Sequence, residues 1–79
     1  MEPKNKHPSK RIVNRFSELL GKRRLSISDV HRLTGISRTT LTNLYYAKSE
    51  AISLSVLEKL CVGLNCSVTD IFSMEKLSD

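Results

Sequence analysis

The sequence predicts an all-α domain of five short helices. Three observations predict it: apolar residues recur at helical spacing in successive segments, a serine precedes each segment, and no alternating run of strand period interrupts them. Ser9 is expected to cap a first helix with Ile12, Val13, Phe16, Leu19 and Leu20 on one buried face, and Lys22, Arg23 and Arg24 suit its carboxyl end. Ser26 and Asp29 have the spacing of a capping box with Asp in place of Glu, opening a second helix with Ile27, Val30 and Thr34 inward; Gly35 stops it. Ser37 caps a third helix whose Leu41, Leu44 and Tyr45 form a buried stripe, leaving Arg38, Thr39, Thr42, Asn43 and Tyr46 on the other face. After a polar connection from Lys48 to Ile52, Ser53 caps a fourth helix, expected to be thoroughly buried through Leu54, Leu57, Leu60, Cys61 and Leu64. Asn65 is its left-handed terminator. Ser67 and Asp70 repeat the Ser-x-x-acid cap for a short fifth helix with Val68, Ile71 and Phe72, after which SMEKLSD is expected to fray.

With 79 residues there is surface enough for one core, so one domain carries the whole function. Its expected layout is a flexible basic arm over residues 1–8, a folded domain over 9–73 and a short tail over 74–79. The formal charge of +5 is segregated: residues 1–24 hold eight basic and two acidic side chains, residues 49–79 two and five. The amino-terminal part therefore suits a polyanionic partner. Cys61 and Cys66 have no nearby His, which leaves a zinc site without ligands, and they are expected to be buried free thiols. No cofactor or metal is expected. Neither a targeting signal nor a membrane span is legible, which points to the cytoplasm. Two His, no paired carboxylates in an apolar context and no nucleophile beside a base argue against an enzyme. RNA binding lacks an aromatic stacking platform.

The stretch SISDVHRLTGISRTTLTNLYY reads as a helix, a glycine turn and a second helix packed on the first. Gly35 permits a positive φ that a side chain would oppose by roughly 1–2 kcal/mol. Val30 and Ile36 hold the corner, and Leu41 and Leu44 fasten the third helix beneath it.

These residues resemble the phage lambda repressor and Cro (XRE-type) helix-turn-helix family. The resemblance runs from Ile12 to Phe72, on Leu25 and Ser26, on TGIS (34–37), on RTTL (38–41) and on ISLSVLEKLCVGLNCSVTDIF (52–72). It implies a compact five-helix lambda-repressor-like domain binding double-stranded DNA, with Arg38, Thr39, Thr40, Thr42 and Asn43 reaching base edges. The chemistry fits: Arg pairs bidentately with guanine, Asn with adenine, and Thr offers a hydroxyl and a methyl. Arg38 is the sharper clue, because a cation in a helix's first turn opposes the macrodipole by about 0.3–1 kcal/mol unless an anion restores the balance. Ser37, Lys48 and Ser49 bracket the third helix as phosphate clamps, and Tyr46 stacks, touches phosphate or makes a rim contact.

Three positions depart from the family pattern. His31 stands where a small residue is usual, and is expected at the helix crossing, partly exposed. Ile27 replaces a Gln that often clamps phosphate, and Ala47 replaces a frequent Gly, so the third helix is expected to run on. The exposed Leu33 is a candidate contact for the arm or a partner. The function this implies is transcriptional regulation, as a repressor occluding a promoter. It would act as a homodimer on half-sites about 34–36 Å apart, with Val62, Ile71, Met74 and Leu77 as candidate dimer residues. A second reading is an antitoxin, or another protein-binding module, that represses its own operon through the same domain.

Overall fold

The computed structural model, which describes residues 10–49 and 51–76, opens and closes its described span with two strands that pair with each other. Strand β1 (Lys10–Asn14) runs antiparallel to β2 (Phe72–Lys76), setting Ile12 opposite Met74, Arg11 opposite Glu75 and Asn14 opposite Phe72. Between them lie α1 (Phe16–Arg23), α2 (Ile27–Thr34), α3 (Arg38–Tyr45), α4 (Leu54–Leu64) and α5 (Val68–Ile71). The five expected helices are present, but the fold is not all-α.

The correction falls on the first helix and the tail. Helix α1 starts at Phe16, with Arg15 and not Ser9 at its N-cap, and the Asn14 Oδ1 accepts from the Phe16 N–H at 2.9 Å. Ile12, expected on the buried helix face, is 67% exposed on the ribbon. The tail, expected to fray from Ser73, is paired as far as Lys76. Ser9, the arm over residues 1–8 and the last three residues lie outside the described span.

Arg15 fastens the ribbon to α1. Its backbone N–H donates to the Ile71 carbonyl at 2.7 Å, its Nε to the Ser73 hydroxyl at 2.8 Å, and its guanidinium pairs with both Glu18 and Glu75. The core beneath is apolar, with Phe16, Leu20, Val30, Leu41, Leu60 and Ile71 sealed from solvent. Each such side chain contributes about 1.5–3 kcal/mol by leaving water.

Helix α4 is less buried than its composition suggests: Leu60 and Leu64 are buried, but Leu54 is 79% and Val62 82% exposed. What it offers the fold is proximity. A Cβ on Gly63 would lie 2.7 Å from the Thr34 methyl and 3.0 Å from the Leu33 carbonyl oxygen, so this glycine lets α4 lie against the end of α2. Asn65 ends the helix as expected, at φ 51°, with Cys66 N–H donating to the Cys61 carbonyl at 3.0 Å and Asn65 N–H to Val62 at 3.3 Å. The Arg23 guanidinium donates to the Leu64 carbonyl at the same end. The two free thiols are half-buried rather than buried, and burial, followed by the neighbouring Cys61, raises the pKa of Cys66. In α5 the cap is carried by the acid, Asp70 accepting from the Ser67 N–H at 2.9 Å.

Candidate nucleic-acid interface

The segment from Ser26 to Tyr45 is a helix, a tight turn and a second helix, each joint closed by its own side chains. The capping box of α2 is complete: the Ser26 hydroxyl accepts from the Asp29 N–H at 3.0 Å and Asp29 accepts from the Ser26 N–H at 2.9 Å. That N–H first, then Arg32 at 2.8 Å, then the Ser26 hydroxyl hold the Asp29 carboxyl below the usual carboxylate range. At the turn, Gly35 takes φ 77° and its N–H donates to the His31 carbonyl at 2.8 Å. The Thr34 hydroxyl donates to the Val30 carbonyl at 2.7 Å and accepts from the Ile36 N–H at 3.2 Å.

His31 completes the corner. It is half-buried, with Nδ1 2.7 Å from the Ile36 carbonyl oxygen, so Nδ1 carries the proton and donates across the turn. A ring where the family pattern has a small residue is accommodated because it bonds the turn instead of wedging the helices apart.

Helix α3 begins under Ser37, whose hydroxyl accepts from the Thr40 N–H at 3.2 Å and donates to the Thr40 hydroxyl at 2.9 Å. Leu41 and Leu44 are buried beneath it. Ser37, Arg38, Thr39, Thr40, Tyr46, Lys48 and Ser49 are exposed, whereas Thr42 and Asn43 are half-buried. Among the described residues neither Arg38 nor Thr39 has a side-chain hydrogen bond or ion pair within the chain. Asn43 stands apart from them. With Thr40, Ser49 and Ser53 it lines a groove of about 290 Å³ between α3 and the start of α4.

The far end of α3 turns sharply instead of running on. Tyr46 N–H donates to Thr42 at 3.1 Å, Lys48 N–H to Asn43 at 2.8 Å, and Ala47 sits at φ 55° in the left-handed region. An alanine there costs about 1–2 kcal/mol relative to a right-handed conformation, offset by the bonds that the turn closes. The Lys48 ammonium lies 5.9 Å from the Tyr46 ring centroid, a cation–π contact that holds both side chains beside the helix end.

One tether has no clear signal in the sequence. The Asn14 amide donates to the Leu44 carbonyl at 2.8 Å, joining the ribbon to the open end of α3. An Asn two residues before a buried Phe was its only trace in the sequence, and that trace suggests a cap, not a long-range bond. Ser53, in sequence only a helix cap, also lines the groove beside Asn43. Of the basic residues expected to draw a polyanion, Arg15 and Arg23 are committed within the fold, while Lys10, Arg11, Lys22 and Arg24 are exposed.

Among the described residues no cluster of three or more His, Cys, Asp or Glu could hold a metal ion, and no helix is long and apolar enough to cross a membrane.

A family model described as the Cro/C1-type HTH DNA-binding domain matches residues 15–76. The chain is also 32% identical over 68 residues to the HTH-type transcriptional regulator YozG of Bacillus subtilis (strain 168), itself uncharacterized, covering 86% of this chain and 81% of that protein. The match spans the turn at Gly35, the exposed first turn of α3 and the second strand of the ribbon alike, and the chain belongs to the Cro/C1-type helix-turn-helix DNA-binding family.

Proposed function

We propose that the protein is a sequence-specific transcriptional regulator that binds double-stranded DNA in the cytoplasm and represses by occluding a promoter. The observation that carries this reading is the first turn of α3. Among the described residues Arg38 and Thr39 have no side-chain partner, and they project from a helix whose start is held by Ser37 and whose supporting turn is closed by Thr34, Gly35 and His31. Preorganised donors on a rigid helix suit the major groove, where they read base edges. In this reading Arg38, Thr39 and Thr42 contact bases. Asn43 reads a base from the edge of its groove, and Ser37, Thr40, Tyr46, Lys48 and Ser49 position the backbone. Ser53 joins them, because the start of α4 opens on the same groove and its N–H groups favour an anion.

A lone domain of this size covers too little DNA for high specificity, so two copies act on a two-fold operator. Regulation is by occupancy. Selection from random-sequence duplexes tests the reading: a recovered motif with two-fold symmetry supports it, and recovery of no motif overturns it. On the selected site, Arg38→Ala costs about 1–3 kcal/mol and relaxes discrimination at one base pair. Lys48→Ala weakens all sequences alike and lowers the salt slope by about one. Equal, sequence-independent losses from both variants would remove the assignment of Arg38 as a reader.

A further inference from the structure

Beside the far end of α3 lies a larger opening. A cleft of about 650 Å³ runs between one face of the ribbon and the walls made by α4, α5 and the loop after α3. That size suits a small molecule, since such sites measure about 300–1,000 Å³. Its lining decides which kind. Leu44, Ile52, Leu57 and Phe72 line it, and around it Ile12, Val68 and Met74 are 67%, 48% and 60% exposed. The polar lining side chains are engaged within the chain: Asn14 gives its oxygen to Phe16 and its amide to Leu44, Ser73 accepts from Arg15, and Thr69 is bonded to Ser67. A carbohydrate or nucleotide placed here would lose its hydrogen bonds to water without replacement. The part of a ligand that enters is therefore hydrocarbon.

Charge fixes the other end of that ligand. Asn14 pairs with Phe72, Ile12 with Met74 and Lys10 with Lys76, and directly opposed residues at every second position share one face of a ribbon. Lys10 and Lys76, both exposed, therefore stand together at the outer end of the face that lines the cleft. Like charges directly opposed destabilise a ribbon, and the other face avoids this by setting Arg11 against Glu75. An anion between the two lysines removes the repulsion. From the Asn14–Phe72 pair to the Lys10–Lys76 pair the strands run about 13 Å, the reach of a medium-length acyl chain.

We propose that the cleft binds a medium-chain fatty acid, with its hydrocarbon against Ile12 and Met74 and its carboxylate at Lys10 and Lys76. Leu44 and Ala47, in the last turn and the exit of α3, also line the cleft, so a bound acid touches the end of the helix that Arg38 opens. Binding of the acid itself does not depend on the DNA-binding reading above. Of the residues that the sequence offers as dimer contacts, Met74 lines this cleft. Ile71 is sealed in the core, Val62 does not line the cleft and Leu77 lies outside the described residues.

The test titrates the full chain, without DNA, with decanoate below the concentration at which it forms micelles, and follows amide and methyl NMR shifts. Saturable shifts are expected at Ile12, Val68 and Met74, with Val62 unmoved. Hexanoate should bind about tenfold more weakly because it buries less hydrocarbon. Decanol, which carries no charge, should bind about threefold more weakly. Lys10→Gln combined with Lys76→Gln, both at exposed positions, should bring decanoate down to the affinity of decanol. Met74→Asp should weaken decanoate about tenfold, while Val62→Asp should keep it within about twofold. The proposal is overturned if the lysine variant keeps the advantage of decanoate over decanol, or if Val62 and Leu54 shift along with the cleft. Absence of decanoate binding overturns it too, and sedimentation of a dimer that Met74→Asp dissociates would then give the cleft to a second copy. None of these outcomes bears on the DNA-binding reading, which stands or falls on the selection from random duplexes.

Discussion

Among the described residues, every hydrogen bond made by a side chain of Ser26 to Tyr45 spans five residues or fewer: Ser26 with Asp29, Arg32 with Asp29, Thr34 with Val30 and Ile36, His31 with Ile36, Ser37 with Thr40. In the ribbon the corresponding bonds reach across the chain, Asn14 to Leu44 over 30 residues and Arg15 to Ser73 over 58. A unit closed by short-range bonds costs little loop entropy and forms as its own segment orders. The ribbon, by contrast, cannot form until everything between its strands is in place. The helix-turn-helix is therefore locally determined, and the ribbon is conditional on the whole fold.

Gly63→Ala should act most strongly, because it attacks what supports the helix-turn-helix from outside. The added methyl meets a Thr34 side chain pinned by its bond to Val30, and a loss of about 1–3 kcal/mol is expected in denaturant unfolding. Unchanged stability would mean that α2 owes little to α4. Asn14→Ala should follow, at about 1–2 kcal/mol, by leaving the Phe16 N–H without its partner and the Leu44 carbonyl with the Ala47 N–H alone. Its signature is spatial. Amide exchange should accelerate in β1, β2 and the last turn of α3 while α2 stays protected, and uniform acceleration would erase the distinction between the two regions.

Ala47→Gly sharpens the comparison from the other direction. It relieves the left-handed alanine after α3 and should raise the stability by about 1 kcal/mol in thermal melts; a fall would mean that the methyl's packing on the cleft outweighs the strain. The smallest effect is expected from acid. Asp29 and Asp70 have lowered carboxyl pKa values, chiefly through the Ser26 and Ser67 N–H groups, so what they contribute is complete above the ordinary carboxylate pKa of about 4. It is lost as pH falls through their folded values. Melting curves for Asp29→Asn between about pH 5 and 2 should fall less steeply than those of wild type, and only slightly, because both groups are exposed to water. Parallel curves would assign the cap no charge dependence.

Most of the helical frame was legible because its signals are local. Ser26, Ser37 and Ser53 cap, and Gly35 and Asn65 turn left-handed, where the residue types require. The first helix starts later than its apolar spacing suggests because Ile12 and Phe16 share a helical spacing by coincidence, and spacing cannot reveal that Ile12 faces Met74. At the candidate interface, Arg38, Thr39 and Lys48 lie exposed where the pattern set them. Nothing in the pattern showed that Asn43 sits half in a groove with Ser53, or that Ala47 would bend the chain.

The sequence by itself determined the family, the helix-turn-helix and the residues that open its second helix, because caps, turns and apolar stripes act over one or two turns of chain. Only the tertiary structure decided the ribbon, the approach at Gly63, the tether from Asn14 and the apolar cleft. Each depends on residues dozens of positions apart being brought together, and one-dimensional spacing holds no record of that distance.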